Sequence, residues 1–343
     1  MVTHLRFKRH LRFLREGNAV RVIRELESGT TLPAGEAFDH LLAAFLGDPE
    51  ETTVGAELSR RMNVDPPMVE SLLARLFELK LIERFEPAMD AFARFDRQLL
   101  LFDALDPTAD HAQNQLRQQR LSDAHVLVLG LGGIGNQVAL SLAAAGVGHL
   151  TLVDGDVVEE SNLHRQILFT PADISGDKVA KARTSLERMA PGCRISTMSK
   201  RVANAGDWRE VIASFPNVHH VMLSADKPVQ LVNWLSDARK EFNYHFIKCG
   251  YMSTQGLIGP LLGPDTCGYD DLFDSWGPAI DAQPANIKAL NGTSAAPTMA
   301  ASNAIMANIA TLELIKHITG AGTLTLREQR LLLDLNDYST RIG

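Results

Sequence analysis

Residues suited to holding phosphate crowd into positions 130–178. Gly130, Gly132, Gly133 and Gly135 form a G-x-G-G-x-G turn directly after the apolar run His125–Leu129. Absent side chains let backbone approach a phosphate, and a following helix offers free N–H groups and positive dipole. Asp154 closes the next apolar run, Leu150–Val153, where a carboxylate can accept hydrogen bonds from ribose hydroxyls. Arg165 and Lys178 follow. Two cations there can hold a triphosphate while charge moves onto a leaving pyrophosphate. A nicotinamide-dependent oxidoreductase shares the glycine turn and the acid but has no need of the two cations.

The elements around these residues read as α/β. His125–Leu129 is short, β-branched in part and stopped by glycine, which predicts a buried parallel strand. Asn136–Ala143 has helical composition, and Leu150–Val153 is the next strand. A helix is expected from Lys178 to Met189, then strands at Arg194–Met198 and His219–Asp226. A helix over Pro228–Lys240, a strand over Phe246–Met252, a long apolar helix over Met299–Ile318 and closing strands within Leu324–Leu335 complete the chain.

Residues 1–88 form a separate pattern. Leu11–Arg15 and Val20–Ile23 flank Gly17-Asn18, a hairpin signal. Phe38, Leu41, Leu42 and Phe45 recur at helical spacing before Gly47, and Thr53–Met62 predicts a second helix. Asp65-Pro66-Pro67 is a cap followed by proline in a first turn. Val69, Leu72, Leu73, Leu76 and Leu79 line one face of a third helix, and Leu81–Phe85 reads as a closing strand. Hairpin, three helices and a wing make a winged-helix architecture. Arg6, Lys8, Arg9, Arg12, Arg15, Arg21 and Arg24 make its first strands basic. Its third helix, however, is poorly supplied with base-reading side chains, so no nucleic-acid partner is expected.

The chain has 343 residues, 45% of them hydrophobic, with a net charge of −7, which argues against bulk binding to nucleic acid. Cys193, Cys249 and Cys267 are its three cysteines, none in C-x-x-C spacing, so a reduced, cytoplasmic setting is expected rather than a disulfide framework. No apolar run approaches the roughly 18–20 residues of a membrane helix, and the basic N-terminus lacks a signal-peptide core.

Taken together, G-x-G-G-x-G, D-x-D-x-V-x-x-S-N-L-x-R-Q over Asp154–Gln166, and Lys178 resemble the ThiF, MoeB and ubiquitin-activating-type adenylyltransferases. The resemblance implies a Rossmann-type adenylation domain over residues 121–343. It implies Mg²⁺ on Asp226, phosphate contacts from Arg165 and Lys178, and nucleotide-binding roles for Asp156, Asn162 and Gln166 beside the glycines and Asp154. Arg94-Phe95-Asp96-Arg97-Gln98, inside the connector 89–120, is similar to a segment that sends an arginine into the partner subunit's ATP site; on this chain that is Arg97, and the family is homodimeric. The N-terminal pattern looks like the PqqD-like element that takes a leader peptide as an added strand.

Ser224–Pro228, Leu231–Trp234, Gly250-Tyr251 and Gly259–Leu261 resemble the peptide-modifying branch of MccB-like and PaaA-like enzymes. Residues 271–297, including Asn291–Ser294, fall where that branch shapes its substrate pocket. The two C-x-x-C pairs that many members use for structural zinc are missing, so no structural zinc is expected and a PaaA-like relative is favoured. The implied activity is ATP- and Mg²⁺-dependent adenylation of carboxylates in a ribosomally made precursor peptide, followed by intramolecular condensation with loss of water. Activation of a peptide C-terminus and activation of a small Gly-Gly-tailed carrier protein are the alternatives. A non-catalytic peptide-binding protein would not need the full set of phosphate ligands.

Overall fold

The computed structural model describes residues 3–25, 28–47, 49–86, 92–274, 279, 282–292 and 296–343. They divide into two units, with the boundary between Gln119 and Arg120.

The first unit opens with β1 (His4–Phe7), β2 (Arg12–Glu16), β3 (Ala19–Glu25) and β4 (Ser28–Pro33). Helices α1 (Glu36–Phe45), α2 (Glu51–Met62) and α3 (Pro66–Glu78) follow, then β5 (Ile82–Phe85) and α4 (Asp96–Leu105). Helix α5 (His111–Asp123) runs across the boundary. The β2–β3 hairpin turns at Gly17, whose φ of +59° suits glycine. Leu5, Val22, Phe38, Leu41, Phe45, Val54, Leu58, Val69 and Leu76 share one core, which accounts for the helical spacing of those from Phe38 onward. Two pairings go beyond the sequence reading: β4 joins the hairpin as a third strand, and β5 pairs antiparallel with β1.

Several basic residues of the first strands are engaged within this unit. Arg6 donates to Glu83 at 2.7 Å and lies over the Phe85 ring. Arg9 pairs with Asp96, and Arg15 with Asp39 at 2.9 Å. Lys8 is buried and pairs with the equally buried Asp103 of α4, and it donates to the Pro107 and Ala109 carbonyls at 3.0 Å. His10 Nδ1 lies 2.9 Å from the second Asp103 oxygen. The stretch read as a polar connector therefore carries a buried ionic clamp to the start of the chain.

The second unit holds β6 (His125–Leu129), α6 (Gly133–Ala144), β7 (His149–Asp154), α7 (Lys178–Met189), β8 (Arg194–Ser199), α8 (Ala205–Ala213), β9 (His220–Leu223) and α9 (Leu231–Ala238). Next come β10 (His245–Met252), β11 (Gln255–Leu262), α10 (Tyr269–Leu272), α11 (Ala285–Gly292), α12 (Ala300–Thr319), β12 (Leu331–Asp334) and β13 (Thr340–Ile342). Its eight strands run β13-β12-β11-β10-β9-β6-β7-β8. The five from β10 to β8 are parallel, and β11, β12 and β13 extend the sheet antiparallel. Strand order reverses at β6, between β7 on one side and β9 on the other. Ligands of open parallel sheets bind at such a switch point, beyond the strands' carboxyl ends.

Two strands end differently from the sequence reading. β9 stops at Leu223, because the Ser224 and Ala225 amides both turn to the Leu129 carbonyl at 3.0 Å. Within Leu324–Leu335 only Leu331–Asp334 is a strand. There the buried Glu313 side chain accepts from the Thr325 and Leu326 amides instead. Asn291 and Gly292 close α11, while Thr293, Ser294 and the 275–278 stretch lie outside the described residues.

Lys8→Met is expected to leave Asp103 as a buried charge and to lower unfolding stability by about 3–5 kcal/mol. Urea denaturation checks this; a loss under about 1 kcal/mol would mean the clamp behaves like a surface ion pair.

Candidate active site

The site is built where β6 gives way to α6. Gly130 has a φ of +93°, and a Cβ there would lie 2.7 Å from the Ala225 amide nitrogen. At Gly135 a Cβ would overlap the Gly130 carbonyl oxygen and sit 2.7 Å from Ser224 Oγ. The loop, the first turn of α6 and the segment after β9 are thus pressed together at distances only glycine allows. No side chain caps α6 at Gly132, so its first-turn N–H groups and dipole are offered to an anion.

Asp154 ends β7 beside this loop. Its carboxylate accepts from the Leu131 N–H at 2.6 Å and from the Asp156 N–H at 2.8 Å. The residue read as a ribose acceptor therefore also fixes the loop's conformation. Asp156 takes a role the sequence did not suggest. One oxygen lies 3.3 Å from Lys178 Nζ, and the other pairs with Arg201, which follows β8. Lys178 is buried at the first turn of α7, with Asp177 as the cap.

The segment between carries Asn162, Arg165 and Gln166. Asn162 is buried and accepts from the Glu159 amide at 3.1 Å, while its own carbonyl receives the Arg165 and Gln166 amides at 3.0 and 2.9 Å. Arg165 is half-buried, anchored to the Ser161 carbonyl at 2.8 Å, and its Cδ lies 3.4 Å from where a Gly133 Cβ would stand. Gln166 is buried, and its Oε1 has no hydrogen-bond partner among the described residues. Asp226 is exposed one residue beyond Ala225, which touches Gly130. Glycines, Asp154, Asp156, Asn162, Arg165, Gln166, Lys178 and Asp226 therefore gather beyond the carboxyl ends of the central parallel strands. Arg97 is an exposed residue of α4 in the first unit.

Two buried amides complete the site. Asn136 donates to the Leu131 and Gly132 carbonyls at 2.7 and 3.1 Å and accepts from the Leu168 amide at 3.0 Å. It joins the glycine loop to the segment that carries Arg165. Asn303 of α12 is 1% exposed, its Nδ2 has no hydrogen-bond partner among the described residues, and a Cβ on Gly133 would overlap that nitrogen. Asn136 was open to inspection as a polar residue in an apolar helix. Asn303 lies 170 positions from the loop it touches, and no local pattern marks it.

Among the cysteines, burial pushes the Cys193 thiol up to about 11 and Cys249 up to about 12. Thiolate is the nucleophilic form, so neither is equipped for thioester chemistry at neutral pH. Cys267 is exposed, and hydrogen bonding to Glu328 raises it as well.

A profile of the ThiF family matches residues 95–342. Over 112 residues the chain is 44% identical to the sulfur carrier protein ThiS adenylyltransferase of Escherichia coli, covering 32% of this chain and 41% of that protein. Over 119 residues it is 39% identical to the molybdopterin-synthase adenylyltransferase of Salmonella typhimurium, covering 35% of this chain and 46% of that protein. The chain thus spans less than half the length of these relatives. Among solved structures, Escherichia coli MccB with succinimide superposes with a TM-score of 0.80 over 99% of this chain and 96% of that one, at 23% identity. PaaA gives 0.75 over 98% of both chains, also at 23% identity. At this identity both likenesses speak to the fold, and they cover both units.

Iodoacetamide at neutral pH is expected to alkylate Cys267 in the folded protein and to spare Cys193 and Cys249, as peptide mass spectrometry would show. Rapid labelling of Cys249 would contradict its burial. Asn136→Ala strips three hydrogen bonds from buried backbone and is expected to lower stability by about 2 kcal/mol, read by thermal unfolding.

Proposed function

The chain belongs to the ThiF family, and from that premise we propose that it uses ATP to adenylate carboxylates of a ribosomally made precursor peptide. The observation that carries the reading is the glycine-walled cradle at the carboxyl ends of the central strands, flanked by Arg165, Lys178 and Asp226. A substrate carboxylate oxygen attacks the α-phosphorus of ATP, the bond to the pyrophosphate oxygen breaks, and an acyl-adenylate forms. Both reactants are anions, so positioning and charge neutralisation are the enzyme's task. No general base is required, because a carboxylate is already ionised at neutral pH.

In this reading the α6 N–H groups and the glycines cradle the phosphates, Asp154 takes the ribose, and Arg165 and Lys178 meet the triphosphate. Asn162, Gln166 and Asp156 order the loop that bears the cations. Asp226 fits a magnesium ligand: it is an exposed carboxylate beside the cradle, with no ion-pair partner among the described residues. Mg²⁺ is typically held by one or two carboxylates plus substrate phosphates, whose negative charge it neutralises. Arg97 would reach the site of a partner subunit in a homodimer. Intramolecular capture of the adenylate then expels AMP, with net loss of water from the peptide.

For the peptide partner, the first unit supplies the docking element. We assign residues 1–88 to a winged-helix leader-binding domain, 89–120 to the connector and 121–343 to the adenylation domain. In the three-stranded sheet β2 is an edge, and its residues are exposed or half-buried. An extended leader can add there by main-chain hydrogen bonds. MccB has been solved with MccA and with ATP, and its fold covers this unit too. Activation of a carrier protein is the second reading, favoured by the 44% identity to the ThiS adenylyltransferase.

ATP–pyrophosphate exchange with candidate precursor peptides, followed by peptide mass spectrometry, tests the proposal. Exchange with loss of one or more waters is the expected result. A peptide that gains nucleotide mass would point to C-terminal adenylation, and exchange seen only with a Gly-Gly-tailed protein would favour the carrier reading. Arg165→Ala and Lys178→Met are expected to lower kcat/KM for exchange by about 100-fold or more; an Arg165→Ala protein at full activity would sink the assignment. Mixing Arg97→Ala with Arg165→Ala subunits should restore exchange lost in each alone, since one site of the mixed dimer is intact. No recovery would remove Arg97 from the partner's site.

A further inference from the structure

At the other end of the same sheet, three histidines converge from elements far apart in sequence. His220 opens β9, His245 opens the neighbouring parallel strand β10 in direct register with it, and His317 lies in the last turn of α12. One ligand nitrogen from each lies within 4.8 Å of the other two. Ring centroids are 4.4 Å apart for His245 and His317, 5.5 Å for His220 and His317, and 6.2 Å for His220 and His245. We propose that His220, His245 and His317 bind one divalent transition-metal ion of the zinc, cobalt or nickel type.

The chemistry of the cluster favours this occupant. Imidazole nitrogen suits these ions, whereas magnesium and calcium take oxygen. A tetrahedral zinc with nitrogen ligands at about 2.1 Å holds them about 3.4 Å apart, so ring rotations of about 1 Å would close the set. His220 Nδ1 is buried with no hydrogen-bond partner among the described residues, a deficit that buried polar atoms rarely carry. Burial holds His220 at about 3 and His317 at about 4, and His245 is lowered too.

The surroundings are consistent with a cation. Asp265 is exposed, with Oδ1 3.9 Å from His245 Nε2, and can turn in as a fourth ligand. Arg327 now holds its other oxygen at 2.6 Å, and that nearby positive charge sets a limit on affinity. Glu313 on α12 lies near His317, but its charge is already met by Lys316 at 2.9 Å. Gly263 packs against the His245 ring, where a Cβ would overlap it, so only glycine leaves the ring this space. The set uses imidazoles rather than Cys267, so it differs from the thiolate zinc site whose cysteines are missing; zinc bound here would correct the expectation of no structural zinc. The ion would tie the end of α12 to the starts of β9 and β10.

The test uses the full chain without a histidine tag, stripped with a chelator, and titrated with Co²⁺ by visible absorption and then with Zn²⁺ in competition. One Co²⁺ per chain, displaced by Zn²⁺, is expected, and Zn²⁺ should raise the Tm by several degrees. His245→Ala and His317→Ala should each weaken binding at least about tenfold, while His219→Ala, whose ring meets the Asn243 carbonyl, should not. Circular dichroism identifies any variant that fails to fold, and His317→Gln then replaces it. A wild-type protein that takes up no stoichiometric ion overturns the proposal, as do His245→Ala and His317→Ala proteins that bind as tightly as wild type.

Discussion

Everything at the candidate active site depends on how closely the start of α6 approaches the end of β6. A methyl group at Gly135 would collide with the Gly130 carbonyl, and one at Gly130 would collide with the backbone after β9. This contact sets where the uncapped helix N-terminus points. It also brings Ser224 against the loop, so that Asp226 emerges beside it. Asp154, Asn136 and Asn303 then act on a position already fixed by the absence of side chains. The Asp154 carboxylate, accepting from the Leu131 N–H, holds the loop from one side, and the Asn136 amide, donating to the Leu131 and Gly132 carbonyls, holds it from the other.

The first unit is governed by a different kind of interaction. Its sheets and helices bury an ordinary apolar core, but the join between the residue after β1 and α4 is ionic. Lys8 and Asp103 are both nearly inaccessible to water. Such a pair contributes little net stability against a hydrophobic equivalent, yet removing one partner is costly. It therefore fixes a specific arrangement of the segment before residue 106, where Arg97 resides.

The sequence made the parallel strands and the glycine turn legible because their signals are local: short apolar runs stopped by glycine or an acid. The same is true of the three helices before residue 80, whose apolar spacing matches the face they bury. β4, with the sequence Ser-Gly-Thr-Thr-Leu-Pro, has little strand character of its own and forms by pairing with β3. The β1–β5 pair links residues about eighty positions apart, which no window of sequence reveals. Arg201, Asn303 and the three histidines were hidden for the same reason: each acquires its neighbours only when separate elements pack. Arg165 and Lys178 could be singled out as cations shortly after the second apolar run, and Asp226 through the family resemblance, which places a carboxylate there.

Asp156 has a consequence for the medium in which the site works. Its carboxylate already accompanies Lys178 and Arg201, so these cations need recruit fewer mobile anions from solution than bare ones would. A phosphate group entering between them trades places with a tethered carboxylate and sets little chloride free. The entropy of dilution that makes anion binding steeply sensitive to ionic strength is correspondingly small here. On the proposed reading of this site, nucleotide affinity should decline only gently as salt rises.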